Sequence, residues 1–269
     1  MNLRKLALRV AMLFLAASTV SQASTTSEVV LGSDYLTSPF GASLFPGLGV
    51  LNGVPLGAAT GNTDAIVQRQ GDAIFPGVPG PGNTAPAIHI ALTALQLETA
   101  APVDFGGNGL DNYFFTLQSA RGGPDSLGSM SITLTSLDDG TAANPEGTFS
   151  SFIDVFFDIR KGSLNGAIVF SSDLVLVNPG TLWDATNPPG AVIITGLVGD
   201  QNADSHTGKA SNQMDFFPFG PFAETFPNGG VLAFQEASAT TPPVPEPGTS
   251  LLFGTGLLAV ARRWKRKRV

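Results

Sequence analysis

Turn-forming residues interrupt this chain so often that no long helix has room to form: among 269 residues there are 32 Gly and 20 Pro. Gly admits left-handed backbone and Pro fixes φ and removes a donor, so both end regular elements. The segments left between them are short and alternate with a period of two. In 151–159 the odd positions Ile153, Val155, Phe157 and Ile159 make one apolar face. Phe152, Asp154, Phe156 and Asp158 alternate aromatic with acid on the other. Similar runs at 88–99, 112–119, 129–137, 150–160, 167–177, 192–197 and 231–237 read as strands, and 24–84, denser in turns, reads as short strands joined by ordered loops. No 3.6-residue period separates them and no repeat of 20–50 residues recurs. The expected fold is all-β, an antiparallel β-sandwich or jelly roll, flanked by an N-terminal signal helix and a short C-terminal transmembrane helix.

Charge is sparse and segregated. Charged residues make up 13% of the chain against about 25% in an average globular protein. Arg4, Lys5 and Arg9 lie at one end and Arg262, Arg263, Lys265, Arg266, Lys267 and Arg268 at the other. The stretch from Ser24 to Pro245 keeps five cations against twenty acids, a net charge of −15. Such a surface repels phosphate, which excludes nucleic acid as a partner. The 19 Phe supply apolar area enough for a packed body. The absence of Cys removes disulfides, thiolate metal sites and cysteine catalysis.

Both ends carry addresses. Three cations in the first nine residues precede the apolar run 10–17, and Ser21-Gln22-Ala23 supplies the small residues a signal peptidase reads, so residues 1–23 are a signal peptide cleaved after Ala23. Residues 24–239 form the acidic exported domain. The linker 240–247 is stiffened by its prolines. The uncharged run 248–261 would span roughly 21 Å as a helix, short of a hydrocarbon core of about 30 Å. Six cations directly after it, with Trp264 at the boundary, let it reach across by snorkelling, so 248–261 is expected to be transmembrane and 262–269 a cytoplasmic basic tail.

Pro245-Glu246-Pro247, then a short apolar segment, then an Arg-rich terminus, resembles the PEP-CTERM sorting signal of Gram-negative bacteria that make exopolysaccharide. The resemblance covers about the last 27 residues. It implies recognition by an exosortase, cleavage near Pro245-Glu246-Pro247 and transfer of the body to the cell surface or the medium. Before processing the partner is the membrane; afterwards the exopolysaccharide is a partner to test. The resemblance implies nothing about the activity of the body.

Within the body the chemistry-bearing residues are few. His89 sits in a strand, His206 in the loop 200–209, and no Gly-x-Ser-x-Gly elbow accompanies either. Asp154 and Asp158 share a strand face but lie about 13 Å apart along it, too far to act as a glycosidase pair unaided. Asp200, Asn202 and Asp204 match the first three ligand positions of a calcium loop, whereas Ser205 and Ser211 stand where the turn Gly and the bidentate Glu belong. Asp138-Asp139-Gly140 is a second acidic turn. Trp183 and the aromatic run 216–222 offer faces on which a sugar could stack. The reading is a non-enzymatic cell-surface or extracellular-matrix protein with no cofactor, the acidic loop being an ordinary Asx turn; a carbohydrate- or calcium-binding module, with calcium held at that loop, and a secreted hydrolase are the alternatives.

Overall fold

A computed structural model describes residues 26–38, 42–43, 47–77, 80–136, 146–219, 222–225 and 231–236. The signal peptide with Ala23, the motif Pro245-Glu246-Pro247, the apolar run, the basic tail and the Asp138-Asp139-Gly140 turn lie outside the described residues. Among the described residues no helix is long and apolar enough to cross a membrane, and the only helical pieces are two 3₁₀ turns, Ala58–Thr60 and Gln118–Arg121.

Eight strands carry the architecture: β1 (Gly32–Thr37), β2 (Ala65–Arg69), β3 (Ile88–Thr99), β4 (Tyr113–Leu117), β5 (Ser126–Leu134), β6 (Gly147–Lys161), β7 (Ala167–Asp184) and β8 (Val231–Glu236). β3 is the hub. One flank pairs with β2, from Ala65 opposite Leu95 to Arg69 opposite Ile90, and with the short strand Leu51–Gly53. Its other flank pairs with β4 and β5, which lie end to end in one slot: Thr116 faces Gln96 and Ser126 faces Leu92. β6 closes over that slot, and β6 and β7 form the longest ladder. From β7 pairing continues through Phe222–Thr225 to β8, then β1, then β2 and back to β3. Every ladder in this circuit is antiparallel and the circuit is closed, which removes most of the exposed edge an open sheet would carry.

Alternation puts the core inside. Ile153, Val155, Phe157 and Ile159 are at most 1% exposed, while Phe152 on the opposite face is 51% exposed. The Phe115 and Phe157 rings stack across neighbouring strands at 4.4 Å. Each such side chain contributes about 1.5–3 kcal/mol by leaving water.

Strand positions follow the alternation, although 150–160 lengthens to Gly147–Lys161, 192–197 shortens to Thr195–Leu197 and Gln118 and Ser119 enter a 3₁₀ turn; two further departures have a visible cause. β5 starts at Ser126 and ends at Leu134, three residues earlier than expected at each end, because Ser126 to Leu127 already pair with Leu92 and Ala91. β7 passes through Pro179-Gly180 to reach Asp184 rather than stopping at 177. The ladder to β6 skips a residue between Phe149 and Ser151, and Asn178 Oδ1 accepts hydrogen bonds from Gly180 N and Thr181 Oγ1. A proline is tolerated at such a bulge because no ladder donor is required of it there.

Candidate functional site

The densest grouping of ionisable side chains is buried where 194–217 packs on β1 and β2. Asp34 of β1 and Arg69 of β2 form an ion pair, the Arg69 side chain being fully buried. The Arg69 guanidinium also lies 4.9 Å above the Phe216 ring. Gly32 makes the approach possible: a Cβ there would stand 2.6 Å from Ala203 O and 2.9 Å from the His206 ring. Ser33 and Tyr35 hydroxyls donate to the carbonyls of Gln201 and Asn202, tying the loop to β1.

On the far side of this loop His206 Nδ1 lies 2.7 Å from Asp215 Oδ1 and Nε2 lies 3.1 Å from the Asp200 carbonyl. Lys209 pairs with Asp215 as well. Both imidazole nitrogens are therefore engaged within the protein, one against the Asp215 carboxylate and the other against the Asp200 carbonyl.

The expected calcium residues hold the loop itself. Asp200 Oδ1 accepts from Asn202 N at 3.0 Å, an Asx turn, and Asp204 Oδ1 accepts from Ile194 N at 2.8 Å. Among the described residues no group of three or more His, Asp and Glu side chains could hold a metal ion. Asp204 Oδ2 is buried without a partner. Burial, with the Asp34 carboxylate nearby as a smaller cause, raises the Asp204 carboxyl to about 7, outweighing its backbone hydrogen bonds.

Two other expectations are corrected or reshaped. Trp183 is fully buried and stacks on Phe216 at 5.3 Å, so it is a core residue and offers no face to a sugar. The apolar cost of leaving an indole in water outweighs what exposure beside Pro179 and Gly180 suggests. Phe216 and Phe217 are buried too. Asp158 lies beneath Arg121 and Arg160: Arg121 Nε and Nη2 reach its two oxygens at 2.6 and 3.0 Å, and Ser171 Oγ donates to it at 2.6 Å. Burial by itself would raise this carboxyl; the Arg121 and Ser171 hydrogen bonds and both arginine charges outweigh it and hold the group below the usual range. Asp158 and Asp154 thus differ sharply, since burial, with Asp173 adding to it, raises Asp154. His89 stands exposed on β3 opposite Ser129.

The address carried by the chain is settled by comparison with known families. A family model described as the PEP-CTERM protein-sorting motif matches residues 243–267. The chain carries a PEP-CTERM signal. Pro245, Glu246, Pro247 and five of the six terminal cations, Arg262 to Lys267, fall inside the match. A PEP-CTERM signal is read by an exosortase in Gram-negative bacteria, so the chain is an exported protein sorted at the membrane. No curated protein and no solved structure matches the chain.

Proposed function

We propose that this chain is a non-enzymatic cell-surface or extracellular-matrix protein. In this reading residues 24–239 are one exported domain, a β-sandwich or jelly roll formed by folding the closed strand circuit over its core. Signal peptidase cuts after Ala23. The run 248–261 holds the precursor in the membrane with 262–269 inside, until exosortase cuts near Pro245-Glu246-Pro247. The observation that carries the reading is the PEP-CTERM motif at 243–267, placed behind an acidic, cysteine-free β body.

A body without catalysis is supported by what its reactive groups are doing. His206 has both nitrogens engaged and Asp158 is neutralised between two arginines. A general acid or base needs a free proton-transfer position beside a substrate, and these groups are spent on structure.

The test replaces Pro245, Glu246 and Pro247 together by Ala and follows the protein by fractionating cells and medium. The wild type is expected in the outer envelope or medium, and the variant in the inner membrane. A variant distributed like wild type would refute exosortase sorting of this chain.

A further inference from the structure

The slot between β3 and β6 is shared by β4 and β5, and residues 118–125 leave the sheet between them. Gln118 and Ser126 seal the gap on the β6 side: Gln118 Nε2 donates to Phe157 O and Ser172 O, and Phe156 N donates to Ser126 Oγ. On the β3 side the gap stays open. β3 also bulges there, since Ile66 pairs with Ala94 and Val67 with Leu92, leaving Thr93 as the extra residue. Two hollows of about 200 and 420 Å³ result, both lined by Thr93 and Ala120, so they run on as one furrow along the outer face of β3.

The lining of this furrow departs from the rest of the surface. Gln96 and Asn165 line one hollow and Gln68, Gln70 and Ser119 the other. A body with twenty acids places one of them here, Asp125, at one end. The only cation, Arg160, is already bonded to Thr116, Gly166 and Asp158. The leucines of the floor, Leu92, Leu95 and Leu117, are at most 3% exposed, so the large apolar side chains on offer are Leu127, 50% exposed at the end that also holds Asp125, and the half-buried Leu164. β3 is hydrogen-bonded on both flanks except opposite the gap, so a peptide cannot add to it as a strand. Neutral amides and hydroxyls in an elongated polar trough are complementary to a ligand with many hydroxyls and no charge, because each amide offers a donor and an acceptor side by side.

We infer that this furrow is a binding site for a neutral oligosaccharide or polysaccharide segment. Gln70, Gln96 and Asn165 supply the hydrogen bonds, and the bulge at Thr93 bends β3 to shape the trough. A uronate-rich or phosphorylated glycan is excluded by the acidic surroundings and by the lack of a free cation. The site does not depend on the sorting reading, since binding is measured on purified protein.

The test uses the full-length chain in a sugar-free detergent and fluorescently labelled tetrasaccharides: a β-1,4-glucan, a β-1,3-glucan, a β-1,4-mannan and a β-1,4-linked uronate. Fluorescence anisotropy is expected to show saturable binding of at least one neutral probe with Kd between about 10 μM and 1 mM, and none of the uronate. The double variant Gln70→Ala with Gln96→Ala is expected to weaken it roughly tenfold. It should melt with wild type, because neither side chain is buried. Failure of every neutral probe to saturate below about 10 mM, preference for the uronate, or a double variant that binds like wild type would each overturn the assignment.

Discussion

Asp158 and Asp204 are both fully removed from solvent, yet they are held in opposite ways. Asp158 meets two arginines and a serine hydroxyl, and its carboxylate is favoured. Asp204 meets only backbone N–H groups, with the Asp34 carboxylate close by, and its neutral acid is favoured up to about pH 7. Burial is common to the two; the partners decide the sign. With only five cations in the body, all of them committed to other contacts, no cation is left over for the Asp204 carboxyl.

The largest effect is expected where one charge would be stranded. Asp34→Ala leaves Arg69 fully buried without its carboxylate and should lower stability by about 3–5 kcal/mol in urea unfolding. A loss near that of a surface substitution would mean that Arg69 finds another acceptor. Asp158→Asn should cost less, about 2 kcal/mol, because Arg121 is 40% exposed and can turn to water.

The sharper contrast is in pH. The Asp158 carboxyl is lowered on folding, so its contribution is present above the usual carboxylate range and is lost as pH falls through it. Asp204 is raised on folding, so the folded state binds the extra proton and stability declines as pH rises from about 4 to about 7. Asp204→Asn should therefore stabilise by about 2 kcal/mol at pH 8 and lose that advantage near pH 4. Urea unfolding across that range checks it, and a constant difference would show that Asp204 does not titrate in the folded protein. Asp64, raised to about 6 by burial against the hydrogen bonds from Ser38, adds to the same slope. The smallest effect is expected from Lys209→Ala, about 0.5 kcal/mol, since the amine is partly exposed and Asp215 keeps His206.

The strands were legible because burial on one face writes a period of two into the sequence, as Ile153 to Ile159 show. Closure of the circuit was not legible: it depends on pairings such as Val177 with Thr225 and Glu236 with Leu36, whose partners are remote in sequence. The Arg69–Asp34 pair left a faint signal, a lone cation inside a strand in a chain with few. Trp183 misled because an indole beside Pro and Gly looks like a loop residue, whereas the bulge at Asn178 carries it into the core. The furrow left no trace, since Gln70 lines one of its hollows and Gln96 and Asn165 the other, and the hollows adjoin only where β4 and β5 part. The PEP-CTERM signal was legible at once because it is local, three ordered parts within residues 243–267.

The most direct test of export and sorting is the intact mass of the mature protein, taken from membranes and medium of a producing strain with and without its exosortase. A mass that begins at Ser24 and ends near Pro245, present only when exosortase is present, is the expected result. A mass that retains Arg262 to Val269 in both strains would contradict it, and the tail would then be a permanent anchor.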